Sequence, residues 1–99
     1  MPPFHQDIDS VLTIMHIHDV LASMKRRIPK HRIELGDAIR RRRQEIGMSQ
    51  EQFAEVVDCH RNFVGRIERG QQNPTVDTLV RIAKALDCTV REIVNDTSL

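Results

Sequence analysis

The sequence predicts an all-α fold, and three observations carry that prediction. Apolar residues recur at steps of three and four in each segment long enough to show a period. Helix-opening and helix-closing residues bracket those segments: Ser49, Thr75 and Thr89 open, Gly47 and Gly70 close. Aromatic residues, which favour strands, are three Phe only, while 29% of the chain is charged.

The elements follow in chain order. From Ile8 to Ile28 there is no Pro or Gly, and Val11, Ile14, Ile17, Leu21, Met24 and Ile28 fall at helical spacing, with Ile8, Leu12 and Met15 broadening the apolar surface. Pro29 ends this helix, and "PKHR" reads as a linker. The chain therefore divides into an N-terminal helical extension, residues 1–30, and a helical domain, residues 31–99. A helix over Ile33–Ile46 faces Leu35, Ala38, Ile39 and Ile46 inward and stops at Gly47. Ser49 with Gln52 forms a capping box for a helix over Gln50–Val57, which buries Phe53, Ala54 and Val57. After a turn at Asp58, Cys59 and His60, a helix over Arg61–Arg69 buries Val64 and Ile67. "QQNP" is a loop. Thr75 caps a helix to Leu86 that buries Val76, Leu79, Ile82, Ala83 and Leu86. Thr89, with Glu92 three residues on, opens a short helix that turns Val90, Ile93 and Val94 inward, and "NDTSL" is a loose tail.

Charge and cysteine usage narrow the function. The formal net charge is only +1, but residues 25–43 carry nine Lys or Arg against Glu34 and Asp37, a local charge of +7. Such a block suits a directed contact with a polyanion as well as it suits a solvated helix face. No apolar run reaches the length of a membrane span, and the start "MPPFHQDIDS" is acidic, unlike a secretory signal, so a cytoplasmic protein is expected. Cys59 and Cys88 form no CxxC pair and read as small buried hydrophobes. His16 and His18 lie two residues apart and share no helix face, so no metal or cofactor is expected. No Ser/His/Asp set or phosphate-binding Gly loop is visible, which argues against an enzyme.

Residues 49–70, "SQEQFAEVVDCHRNFVGRIERG", carry the functional signal. Two short helices joined by a tight turn, the second polar on its outer face, make a helix-turn-helix. Its second helix enters the major groove of double-stranded DNA. Arg61 and Arg66 can each grip guanine with two hydrogen bonds, and Asn62 can do the same for adenine. The exposed amides that open the preceding helix suit a phosphate.

The pieces "SQEQFA", "IERG", "NPTVDTLVRIAKAL" and "TVREIV" resemble the helix-turn-helix of phage repressors, Cro proteins and xenobiotic-response-element regulators, over roughly residues 33–95. The "HRNFVGRIERG" segment looks most like the small controller proteins of restriction–modification systems. The resemblance implies a lambda-repressor-like five-helix DNA-binding domain, here with an additional N-terminal helix. It implies base reading by Arg61, Asn62 and Arg66, phosphate contact by Gln50, Arg69 and Asn73, and a partly buried pair of Arg43 with Glu68. Gly65 stands where the family often has Ser, so a contact is missing there. Arg42 stands at a position usually apolar, and the N-terminal helix is one place for it to go.

The resulting reading is a transcription regulator that binds a palindromic operator as a homodimer, because one short recognition helix discriminates poorly alone. Ile93, Val94 and the N-terminal helix offer apolar surface for the dimer. The alternative is an antitoxin that binds a protein toxin through the N-terminal helix and autoregulates its own operon.

Overall fold

The computed structural model describes residues 27–99 and is built of five helices: α1 (Lys30–Ile46), α2 (Gln50–Val57), α3 (Arg61–Glu68), α4 (Val76–Ala85) and α5 (Val90–Asn95). The all-α expectation holds. The helix expected over residues 8–28 lies outside the described residues except for its last two positions, and His16, His18 and Met24 lie outside with it.

One boundary differs. α1 starts at Lys30, so Lys30, His31 and Arg32 are its first turn and not a linker. Pro29 restricts the residue before it, not those after. At the N-cap its missing N–H costs nothing, and its carbonyl accepts from Arg32 N–H (3.0 Å) and Ile33 N–H (3.2 Å). At the other end Gly47, at φ 86°, lets Met48 N–H return to the Arg43 carbonyl (3.1 Å).

The caps of α2, α4 and α5 follow the residue types. Ser49 Oγ accepts from Gln52 N–H (3.1 Å) while Gln52 Oε1 accepts from Ser49 N–H (2.9 Å). Thr75 and Thr89 accept from Thr78 N–H and Glu92 N–H, both at 3.1 Å. Each such cap stabilises its helix by about 1 kcal/mol. α3 is capped by an imidazole, His60 Nδ1 accepting from Asn62 N–H at 3.1 Å.

Two turns contain no Gly and share one device. Asp58 (φ 61°) and Asp87 (φ 54°) take the left-handed conformation, which a short polar side chain tolerates. The following cysteine then closes the helix end: Cys59 N–H bonds to the Ala54 carbonyl and Cys88 N–H to the Ala83 carbonyl, each at 2.9 Å. Both cysteines are half-buried and pack on the core.

That core is one cluster: Leu35, Ala38 and Ile39 of α1, Phe53, Ala54 and Val57 of α2, Val64 and Ile67 of α3, Ile82, Ala83 and Leu86 around α4, and Ile93 of α5. Two expected members are exposed. Val76 (71% exposed) sits about a quarter-turn from the centre of the α4 stripe formed by Thr78, Leu79, Ile82 and Ala83. Ile46 (49% exposed) is the last residue of α1, at its end beside Gly47. Ile93 is fully buried, as its inward placement predicts, and is therefore not available as dimer surface.

Two long-range contacts tie the C-terminal end to α1. Arg42 is taken up by α5: its Nε donates to Asp96 Oδ2 (3.0 Å) and its Nη2 to the Glu92 carbonyl (3.4 Å). The tail expected to be loose is also held, because Ser98 donates its N–H (2.6 Å) and Oγ–H (3.0 Å) to the carboxylate of Glu34.

Gly36 is required where α1 crosses α3. A Cβ there would stand 2.7 Å from the Glu68 carbonyl oxygen and 2.9 Å from its carbon, and neither backbone can step aside. Gly36→Ala should therefore destabilise the fold by about 1–3 kcal/mol, read as a lower midpoint in urea unfolding. The Ser98 hydrogen bonds hold the Glu34 carboxyl below its usual value of 4.5. A depressed pKa means the tail clamp is intact above that value and is lost as pH falls through the lowered one. Hydrogen exchange at the Ser98 amide, corrected for intrinsic pH dependence, should lose protection only below about pH 4.5.

Candidate nucleic-acid interface

Helices α2 and α3 meet through Phe53, Ala54, Val57, Val64 and Ile67, all buried, so α3 can rotate little on its support. With those side chains and Glu68 facing inward, the helical period turns Arg61, Asn62, Arg66 and Arg69 outward, and all four are exposed. This face is polar, cationic and one helix wide.

Behind it lies a buried polar network. Arg43 Nε donates to Glu68 Oε2 at 2.6 Å and Nη2 to Glu68 Oε1 at 3.0 Å, a two-pronged pair between α1 and α3. Arg43 Nη1 donates to the Met48 carbonyl at 2.7 Å, and Glu68 Oε1 accepts a third bond from Gln50 Nε2 at 3.0 Å. Arg43 and Glu68 are 8% and 7% exposed, so the charges are largely withdrawn from water but matched. Among the described residues no buried side-chain polar atom lacks a partner.

The other expected site residues stand as follows. Gln50, the first residue of α2, is half-buried and spends one amide N–H on Glu68, leaving its second N–H undirected. Arg61 Nη1 lies 3.6 Å from Glu51 Oε1, an exposed pair of little energetic weight. Arg69 Nε donates to Gln71 Oε1 at 3.0 Å. Asn73 is exposed in the loop between α3 and α4. Glu51, His60 and Gln71, the last two placed by the sequence in a turn and a loop, were not expected among the site residues. The positions of the first two, at the opening of α2 and immediately before α3, were the available signal.

Among the described residues the arginine run of the basic block is dispersed, not concentrated. Successive residues of a helix turn by 100°, so the run Arg40–Arg43 points four ways. Arg40 is exposed, Arg41 pairs with Asp37 (3.0 Å), Arg42 reaches α5 and Arg43 is buried on Glu68. Lys30 pairs loosely with Glu34 at 3.8 Å. Burial pushes both thiols, Cys59 and Cys88, above the usual 9.0, which makes them weak nucleophiles and metal ligands near neutrality. Among the described residues there is no group of three His, Cys, Asp or Glu able to hold a metal, and no helix long and apolar enough to cross a membrane.

Residues 39–93 match the helix-turn-helix family, from the middle of α1 into α5. The chain belongs to that family of DNA-binding transcription regulators. It is similar to the control protein C.SmaI of Serratia marcescens, 37% identical over 65 residues that cover 66% of this chain and 77% of that protein. The control protein C.BamHI of Bacillus amyloliquefaciens is 33% identical over 69 residues, covering 69% of this chain and 85% of its own. Among solved structures, the restriction–modification controller protein C.AhdI of Aeromonas hydrophila superposes with a TM-score of 0.61 at 36% identity, over 62% of this chain and 92% of its own.

Removing Arg43 leaves Glu68 charged in a site largely closed to water. Arg43→Ala should cost about 3–5 kcal/mol of stability, seen as a lowered melting temperature. An unchanged melting temperature with lost DNA binding would instead make Arg43 a DNA contact.

Proposed function

We propose that this chain is a sequence-specific regulator that binds a palindromic operator in double-stranded DNA as a homodimer. The observation that supports it best is the exposed row Arg61, Asn62 and Arg66 on α3, supported from behind by the matched Arg43–Glu68–Gln50 network. In this reading α3 lies in the major groove. Arg61 and Arg66 take guanine and Asn62 takes adenine. Gln50, Arg69 and Asn73 take phosphates, Gln50 with the amide N–H that Glu68 leaves over. Similarity to control proteins favours a restriction–modification controller within this class.

A dimer doubles the contacts of a helix that has only eight residues. Its surface does not include Ile93, which the core takes, while Val94 is half-buried and Val56, Val76 and Val80 are exposed. The antitoxin alternative rests on the N-terminal helix, outside the described residues, and no observation favours it.

Base contacts and phosphate contacts separate experimentally. Against every single-base variant of a site selected from random DNA, Arg61→Ala and Arg66→Ala should each lose about 1–3 kcal/mol and relax one position per half-site. Gln50→Ala should weaken all variants by a similar factor, and wild-type affinity should fall steeply with salt. Arginine variants that bind less well with an unchanged preference profile would move the reading face elsewhere. A salt slope near zero would sink DNA binding as the function.

A further inference from the structure

The outer face of α3 has a gap at Gly65, and the gap is filled. A Cβ built on Gly65 would stand 3.0 Å from Arg69 Nη1 and 3.7 Å from both Cζ and Nη2. Three guanidinium atoms at such similar distances mean that the group lies across the Gly65 backbone. Gly65 is buried on a helix face whose neighbours Arg61, Asn62 and Arg66 are exposed, and the nearest atoms over it are those of Arg69. Residues 61, 65 and 69 are one stripe of the helix, four residues apart. A helical side chain leans toward the N-terminus, so the Arg69 guanidinium falls one turn back from its own Cα, level with Gly65 and Arg66.

A second contact fixes its orientation. Arg69 Nε is spent on Gln71 Oε1 (3.0 Å), and Gln71 is itself anchored by its N–H on the Arg66 carbonyl (2.8 Å). The Nη1 and Nη2 edge is left to grip an acceptor pair such as guanine O6 and N7.

We propose that Gly65 is a specificity-determining residue: its missing side chain seats the Arg69 guanidinium on the reading face of α3, where Arg69 reads a base edge beside Arg61 and Arg66 and does not serve as a phosphate clamp. The proposal rests on the reading of α3 as the helix that enters the groove, and it revises one part of that reading by moving Arg69 from the phosphate contacts to the base contacts. A Ser or Ala at position 65 fills the seat. Because the displaced group is the far end of a flexible side chain, the fold accommodates the change, and Ala favours the helix more than Gly does.

The test selects preferred sites from a random duplex pool with the full chain and with Gly65→Ala, Arg69→Ala, Arg69→Lys and the Gly65→Ala/Arg69→Ala double variant, each also melted thermally. Gly65→Ala should melt no lower than wild type. All three single variants should lose discrimination at the same position of each half-site, by about 10-fold, and the double variant should lose no more than either alanine variant. Lys keeps the charge but not the two-pronged grip, so its loss marks base reading. Unchanged preference in Gly65→Ala, or an Arg69→Lys variant that keeps the wild-type profile, would overturn the assignment while leaving DNA binding intact. A wild-type chain that enriches no site would overturn the DNA-reading function and this proposal together.

Discussion

One guanidinium holds four pieces of this structure in register. Arg43 donates to Glu68 on α3 and to the Met48 carbonyl in the turn after α1, and Glu68 passes the link on to Gln50 at the start of α2. Burying two charges carries a desolvation cost, which is offset only where geometry is good and the remaining donors and acceptors are matched. Here Glu68 accepts three N–H groups. The network is directional, so it fixes the rotation of α3 about its own axis as apolar packing alone does less sharply. For a helix that must place side chains against base edges, rotation is the quantity that matters.

The same constraint reaches the backbone. Gly36 lets α1 approach the Ile67–Glu68 end of α3 at backbone contact distance, which is what brings Glu68 within reach of Arg43. Close approach and ion pair depend on each other. A larger residue at 36 would separate the helices, and a longer gap would leave both charges buried and poorly matched.

The helix-turn-helix turn solves a geometric problem with an unusual residue. A left-handed position is needed between α2 and α3, and Asp58 supplies it where Gly is the common choice. The chain then turns within three residues, and His60 Nδ1 caps the incoming helix. Asp87 repeats the device before α5. Cys59 and Cys88 follow these two aspartates, and their thiols pack on the core, so their place in the sequence has a structural cause.

The sequence by itself determined the five helices, most of their ends and most of the core, because caps and three-to-four periodicity are local. Ser49 and Gln52 hold their capping box whatever else the chain does. It also determined which residues crowd the outside of α3, since inward Val64 and Ile67 force Arg61, Asn62 and Arg66 outward. Only the tertiary structure decided how far each helix is covered by its neighbours, which exposes Val76 and Ile46. It alone carried Arg42, one of the five arginines of α1, to Asp96 and the Glu92 carbonyl at α5. Glu34 and Ser98, separated by 64 residues, likewise meet only in the folded chain. Such pairings depend on where the far partner arrives in space. A sequence pattern records the direction in which a side chain leaves its helix, and nothing local to Arg42 or Glu34 specifies what waits there.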